Sequence, residues 1–496
     1  MILHHDTPPQ GTVRDWLDHR ASEDSTAFVF TQDWSTLTWA QLREEAARIA
    51  AVLTKAGHAK GESIAIMHPN GRAGVIAVYA ALYGGFRATI INLAAGQDAI
   101  AYALDHCEAR AAFVHDSVAE LFAKARPEHM VLLDPDAAAT GTKLHDITPA
   151  DHALLMYTSG TTGTPKGVVH TNSSLLAGGW TTAIAHHLSP QDRGFCVLPI
   201  CHINGLCVTL MGALVSGGSL AMAPKFSASS FWSQAGHAGC TWLSVVPTII
   251  SHLLQGPDGP GGDTKLRFCR SASSALAPDV QTAFETRFAL PVVETMGLTE
   301  TAAQILSNPL PPGARKIGSP GRAYGNEVAI LSKDLSPCPP ETEGEIAIRG
   351  PNVMLEYLKN PDATAQTFAG DWLRTGDLGR MDADGYVFVT GRLKELIIKG
   401  GENIAPREID EALYSHADVV EAAAFARPCT SYGERVEAAV RLREGSPLSA
   451  AELIELCTAK LGKFKTPDHV HLLPELPKGP SGKIQRRKLT ELTKSS

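Results

Sequence analysis

Along the first third of the chain, apolar runs bounded by glycine or aspartate alternate with stretches of helical periodicity: 63–67, then 73–82, then 88–92. That alternation predicts parallel strands joined by helices. A similar unit runs through 154–157, a Gly/Thr-rich loop and an amphipathic stretch that begins at Asn172. Beyond about Asn326 the pattern changes to short strands with turn residues, at 327–331, 344–349 and 385–390, which predicts a small β-rich section. Near the end, Pro406 stands where a first helical turn starts, with Ile409 and Leu413 on one face. Ser449 and Glu452 form a capping-box signature ahead of Leu453 and Ile454. The uncharged stretch 206–224 approaches the length of a membrane span, but Gly212, Gly217, Gly218 and Pro224 interrupt it, so it reads as core helix and strand.

Length and composition sharpen this picture. A chain of 496 residues with 44% hydrophobic residues has room for more than one folded unit and a large core. The 44 basic against 52 acidic residues give a net charge of −8, which argues against a general nucleic-acid binder. Residues 395–496 carry 15 basic and 15 acidic residues, so the acidic excess lies entirely before them and the tail reads as a separate domain. Within that tail, Lys478, Lys483, Arg486, Arg487 and Lys488 form a basic stretch with no acid between them. The nine cysteines form no C-x-x-C pair, and even the closest set, Cys196, Cys201 and Cys207, reads as buried free thiols. The polar first ten residues lack the apolar core of a secretory signal, which predicts a protein that stays in the cytoplasm.

The segment richest in chemistry is Tyr157-Thr-Ser-Gly-Thr-Thr-Gly-Thr-Pro-Lys166-Gly167. Gly160 and Gly163 clear side-chain bulk so that backbone N–H groups can face an anion. The hydroxyls of Thr158, Ser159, Thr161, Thr162 and Thr164 supply donors, and Lys166 supplies charge. This is a phosphate-holding composition, yet not a Walker loop: Pro165 stands where that pattern needs glycine, and Gly167 follows the lysine.

Six further motifs follow in order: LPICHINGL at 198–206, SASSAL at 271–276, ETMGLTE at 294–300, DWLRTGDLG at 371–379, GRLKELIIKGGENIAP at 391–406 and PSGKIQRRKL at 480–489. Together with YTSGTTGTPKG they resemble the adenylate-forming superfamily, which includes acyl-CoA ligases, over essentially the whole chain. The resemblance implies an α/β fold. A large N-terminal domain, 1–393, would combine doubly wound α/β subdomains with a small β-barrel-like section, and a small mobile α+β domain, 394–496, would rotate about Lys394. It implies a ligase that joins a carboxylic acid to the α-phosphate of ATP, expels pyrophosphate, and passes the acyl group to a thiol, with Mg2+ as cofactor and coenzyme A as acceptor. A hard carboxylate oxygen suits a hard cation already held by phosphates.

By the same resemblance, Glu300 holds the magnesium ion and Thr299 contacts the α-phosphate. Asp377 accepts from the ribose hydroxyls with Arg392 beside it, and Ser273, Ala275, Glu294, Thr295 and Met296 lie along adenine. Met296 stands where the family usually has an aromatic ring. Lys483 reaches the reacting carboxylate and phosphate during adenylation. Gly400, Gly401, Glu402 and Asn403 line the thiol tunnel, the glycines leaving room for a pantetheine arm.

For the acid, the stretch 307–313 after GLTETAAQ resembles oxalate-CoA ligases, which typically have alanine where Gly297 stands. His202, Asn204, Gly297 and Lys316, with Arg270 nearby, are the candidate acid-binding residues; by the resemblance His202 also lies beside the acyl and thiol channels, as a gate or pocket wall that counts among the catalytic candidates, and a small acid with a second polar or anionic group is the expected substrate. Two other readings stay open: a free-standing adenylation enzyme that loads a carrier protein, and a silent nucleotide-binding protein.

Overall fold

The structure, a computed structural model, describes residues 1, 3–158, 165–479 and 484–493. Two mixed sheets organise the large N-terminal α/β domain. One has seven strands in the order Glu356–Tyr357, Lys166–Thr171, His152–Thr158, Arg87–Ile90, Ser63–Met67, Ala111–Val114, Val131–Leu132. Its last five strands run parallel, as the alternation of strand and helix patterns predicts. The other has nine strands, in which Phe268–Ser271 pairs parallel with Val292–Leu298, and Val292–Leu298 pairs antiparallel with Ala303–Ser307.

Side chains alternate across each sheet, so each face needs its own cover. Ile64 and Ile66 join a core with helices Trp39–Lys55, Arg72–Gly84 and Asn172–Ala185, whereas Ala65 and Met67 join another with helix Gln97–His106. The first core also takes in Phe28 and Leu220 of the nine-stranded sheet, so these helices fill the space between the sheets. That position corrects one expectation. Helix Asn172–Ala185 is not amphipathic: it is buried on every side except at Ser173, because it lies in the central layer. A Cβ at its Gly178 would stand 2.3 Å from the carbonyl oxygen of Ala302, a separation that only glycine permits.

The stretch 206–224 is likewise core: a π-helix Asn204–Met211, a short helix Gly212–Ser216 and strand Ser219–Met222. Strands Glu327–Leu331, Gly344–Arg349, Trp372–Met381 and Val387–Arg392 form a small curled β-section around Ile330, Ile346, Ile348 and Val387. Among the described residues no helix is long and apolar enough to cross a membrane.

The C-terminal α+β unit has a five-stranded sheet of its own, with Gly433–Leu442 at its centre and Val419–Cys429 paired along it at one edge. Pro406 opens helix Pro406–Tyr414, and Ile409 and Leu413 are fully buried in this unit's core. The Ser449 hydroxyl accepts from the Glu452 N–H at 3.3 Å while the Glu452 carboxylate accepts from the Ser449 N–H at 2.8 Å, the reciprocal cap of helix Ala450–Lys465. Part of the basic stretch is not a solvated face. Lys478 pairs with the buried Glu421 at 2.5 Å, and Arg486 pairs with Asp410 at 2.5 Å.

Candidate active site

At the two described ends of the phosphate-loop segment, Thr158 pairs with Lys166 across antiparallel strands, and the Thr158 hydroxyl donates to the Lys166 carbonyl at 3.5 Å. Ser159, Gly160, Thr161, Thr162, Gly163 and Thr164 lie outside the described residues. The Lys166 ammonium stands 4.5 Å from the ring centre of Tyr357. Tyr357 belongs to edge strand Glu356–Tyr357, which pairs antiparallel with Lys166–Thr171.

Thr299 and Glu300 sit on a single 3₁₀ turn after strand Val292–Leu298, and three successive carbonyls of that turn are held. Thr299 O accepts from the His170 ring at 2.6 Å, Glu300 O from the Met354 N–H at 2.8 Å, and Thr301 O from the Asn352 amide at 2.8 Å. Because a carbonyl only accepts, His170 donates from Nε2, and its Nδ1 is left to accept from the Ser174 hydroxyl at 3.0 Å. Burial pushes the His170 pKa down to about 4, which keeps the ring in this neutral form at pH 7. The residues after the turn, Ala302 and Ala303, have φ of +44° and +82°, a left-handed conformation that costs about 1 kcal/mol or more for residues with a Cβ. The Glu300 carboxylate accepts the Tyr357 hydroxyl at 2.7 Å and makes no ion pair among the described residues. A hard-oxygen donor that no ion pair among the described residues takes up fits a magnesium ion shared with phosphates.

The strand before this turn carries the residues expected along adenine. Glu294 is buried, accepts the Leu276 N–H at 3.1 Å with Oε1, and has no partner for Oε2 among the described residues; burial raises its pKa. Thr295 donates to the Ser271 carbonyl at 3.3 Å. Ser273 has φ +75°, and with Ala275 it lies on an exposed loop beside Glu294. Met296 packs against the core of the curled β-section. Gly297 has its own steric reason: a Cβ there would stand 1.8 Å from Ala303 O, so alanine does not fit this backbone.

Asp377 and Arg392 face each other across two antiparallel strands, and the guanidinium donates to Asp377 Oδ1 at 2.6 Å. Burial opposes the charge on Arg392, but Asp377, Glu395 and Glu300 together raise its pKa. Behind them, Glu345 accepts the Gly376 N–H at 3.0 Å and the Arg374 side chain at 2.8 Å, which fixes the loop that carries Asp377.

The candidate acid pocket centres on Arg270, which is 1% exposed. Its Nη1 donates to Asn204 Oδ1 at 2.7 Å and its Nε to Gln304 Oε1 at 3.1 Å. Both acceptors are neutral amides, and among the described residues no carboxylate pairs with this guanidinium. Burial alone depresses its pKa to about 9, so it keeps its charge at neutral pH. Gln304 is oriented by donating to Thr181 O at 3.3 Å and by the buried ring of His186 at 3.0 Å. Asn204 in turn donates to the Ser273 hydroxyl at 3.1 Å. It is the first residue of the π-helix, and His202 stands two residues before it.

Two groups of expected residues are not brought here. Lys316 does not join Asn204 and Arg270; its ammonium is held by Asp382 at 2.6 Å and Asp384 at 2.7 Å and lies over the Tyr386 ring. Order along the chain placed it near the pocket, but the turn at 382–385 presents two carboxylates that claim its charge. Gly400, Gly401, Glu402 and Asn403 are exposed on the C-terminal sheet, where the Gly400 N–H donates to Tyr432 O at 2.8 Å. Lys483 lies outside the described residues; on either side of it, Lys478 and Ile484 form an antiparallel bridge. Residues that the motifs did not single out are Tyr357, His170, Gln304 and Glu345. Each is an ordinary residue in a strand pattern, so no local signal marks it.

Comparison with known proteins is consistent with this geometry. Residues 16–358 match the family described as AMP-binding enzyme, and 408–483 match the AMP-binding enzyme C-terminal domain. The sulfoacetate–CoA ligase of Cupriavidus necator is 46% identical over 470 residues, covering 91% of this chain and 92% of that protein. An oxalate–CoA ligase of Arabidopsis thaliana is 40% identical over 344 residues, covering 68% and 67%. The ATP-bound crystal structure of MatB from Rhodopseudomonas palustris superposes with a TM-score of 0.89 at 28% identity, covering 97% of this chain and 99% of that one. Spanning both family regions in order, the chain belongs to the adenylate-forming superfamily of AMP-binding enzymes.

Proposed function

We propose that this chain is an AMP-forming acid–CoA ligase acting on a small acid that carries a second anionic group. The observation that carries the substrate reading is Arg270, a buried guanidinium with amide partners only. A buried charge without a counter-ion is costly, and an anionic substrate group is the partner that would repay it. The relatives named for sulfoacetate and oxalate support the same class, since both acids carry two anionic groups.

In the proposed sequence, a carboxylate oxygen of the acid attacks the α-phosphorus of ATP, a P–O bond forms, and the bond to pyrophosphate breaks. The sulfur of coenzyme A then attacks the carbonyl carbon, a C–S bond forms, and AMP leaves with the oxygen that came from the acid. Lys166 and the loop 158–164 hold the phosphates, Thr299 faces the α-phosphate, and Glu300 holds the cation. Mg2+, when bound there, offsets the negative charge that gathers on the phosphates. Asp377 receives ribose hydroxyls, with Arg392 fixing its orientation. Glu294 Oε2, Thr295, Ser273, Ala275 and Met296 border adenine, while Arg270, Asn204, His202 and Gly297 border the acid. Lys483 serves adenylation from the unit 394–496. Rotation of that unit against 1–393 about Lys394 then brings Gly400, Gly401, Glu402 and Asn403 to the thiol channel.

The test uses acid labelled with ¹⁸O in its carboxylate, together with ATP and free coenzyme A. One labelled oxygen is expected in each AMP, with one pyrophosphate and one thioester per turnover. Label in inorganic phosphate with ADP as product would overturn the adenylate route, and adenylate without thioester would overturn free coenzyme A as the acceptor.

A further inference from the structure

Tyr357 makes two contacts that the nucleotide-binding motifs do not include. Its hydroxyl donates to Glu300 at 2.7 Å, and its ring face lies 4.5 Å from the Lys166 ammonium. It is 6% exposed and fixed by strand pairing with Val168, so its side chain has little freedom to leave. The Tyr357 N–H donates to the Thr364 hydroxyl at 3.0 Å, and the next residue, Leu358, donates its N–H to Gly167 O at 2.8 Å. The strand is therefore sewn to strand Lys166–Thr171 on one side and to helix Pro361–Thr367 on the other.

We propose that Tyr357 is a positioning residue that sets Glu300 for the metal with its hydroxyl and Lys166 for the phosphates with its ring. The inference rests on the reading of Glu300 as the magnesium carboxylate. A carboxylate with one oxygen tied by a neutral hydroxyl keeps its full negative charge and directs its other oxygen, as outer partners do for metal-ligating groups generally. The ring offers Lys166 an attraction weaker than a carboxylate would. The cation is thus held in place yet released readily to an anion, whereas an ion pair with Glu300 would silence both groups.

The two arms separate experimentally. Binding of ATP is measured by calorimetry with and without Mg2+, in wild type, Tyr357→Phe and Tyr357→Leu, with unfolding midpoints as a check on folding. Tyr357→Phe is expected to keep metal-free ATP affinity and to weaken the Mg2+-dependent gain by about 10- to 100-fold. Tyr357→Leu is expected to lose that gain and also to weaken metal-free binding. A Phe variant with the wild-type Mg2+ dependence, or one that loses affinity equally with and without metal, overturns the hydroxyl's role. A Leu variant equal to Phe overturns the ring's. A wild-type protein whose ATP affinity ignores Mg2+ contradicts the reading of Glu300 itself, and with it the inference.

Discussion

Arg270→Met is expected to lower kcat/KM for a small two-anion acid by about 10³-fold, or about 4 kcal/mol of transition-state binding, while the unfolding midpoint in urea stays the same or rises. The opposite directions follow from the environment. Arg270 is fully buried against Asn204 and Gln304 with no carboxylate partner, so its charge costs the empty protein free energy that only a bound anion recovers. Methionine fills similar volume without that cost, and Gln304 keeps its bond to His186 at 3.0 Å. Steady-state kinetics for a two-anion acid and for its uncharged analogue provide the check. An equal loss for both acids would show that Arg270 shapes the pocket and does not read the second charge.

The second large effect is expected at Lys483. Lys483→Ala should lower acyl-adenylate formation by about 10³-fold and leave thioester formation from a supplied acyl-adenylate within a few-fold of wild type, because a fixed cation is needed only while two anions approach. The described residues on either side of it are tied to the C-terminal unit. Ile484 is bridged to Lys478, Gln485 N–H donates to Pro477 O at 2.8 Å, and Arg486 is anchored on Asp410 and on Glu395, next to the expected hinge. Measuring each half-reaction separately decides the matter; equal loss in both would contradict the assignment.

Much of this was legible in the chain itself, for physical reasons that differ from element to element. Ser63–Met67 reads as a strand because both of its faces are covered, and the reciprocal cap at Ser449 and Glu452 is a local bond between near neighbours. Asp377 and Arg392 could be joined by motif alone, and they prove to be cross-strand partners. What could not be read is set by contacts between distant segments. Helix Asn172–Ala185 is apolar around its circumference because sheets lie on both sides, a condition no window of 14 residues reveals. Lys316 was assigned by chain order, and only the fold discloses Asp382 and Asp384 beside it. Tyr357 reaches Glu300 from 57 residues away, and Gln304 reaches His186 from 118, through tertiary packing that carries no local signature.

The reading of the acid pocket meets its most direct test in a panel of acids assayed with ATP, Mg2+ and free coenzyme A. Sulfoacetate, oxalate and other short acids with two anionic groups are set against acetate and octanoate. A pocket whose buried polar groups are left unpaired by an alkyl chain can discriminate by roughly 10⁴-fold or more. The highest kcat/KM is therefore predicted for an acid of few carbons bearing a second anionic group; a clear preference for octanoate or longer acids would contradict it.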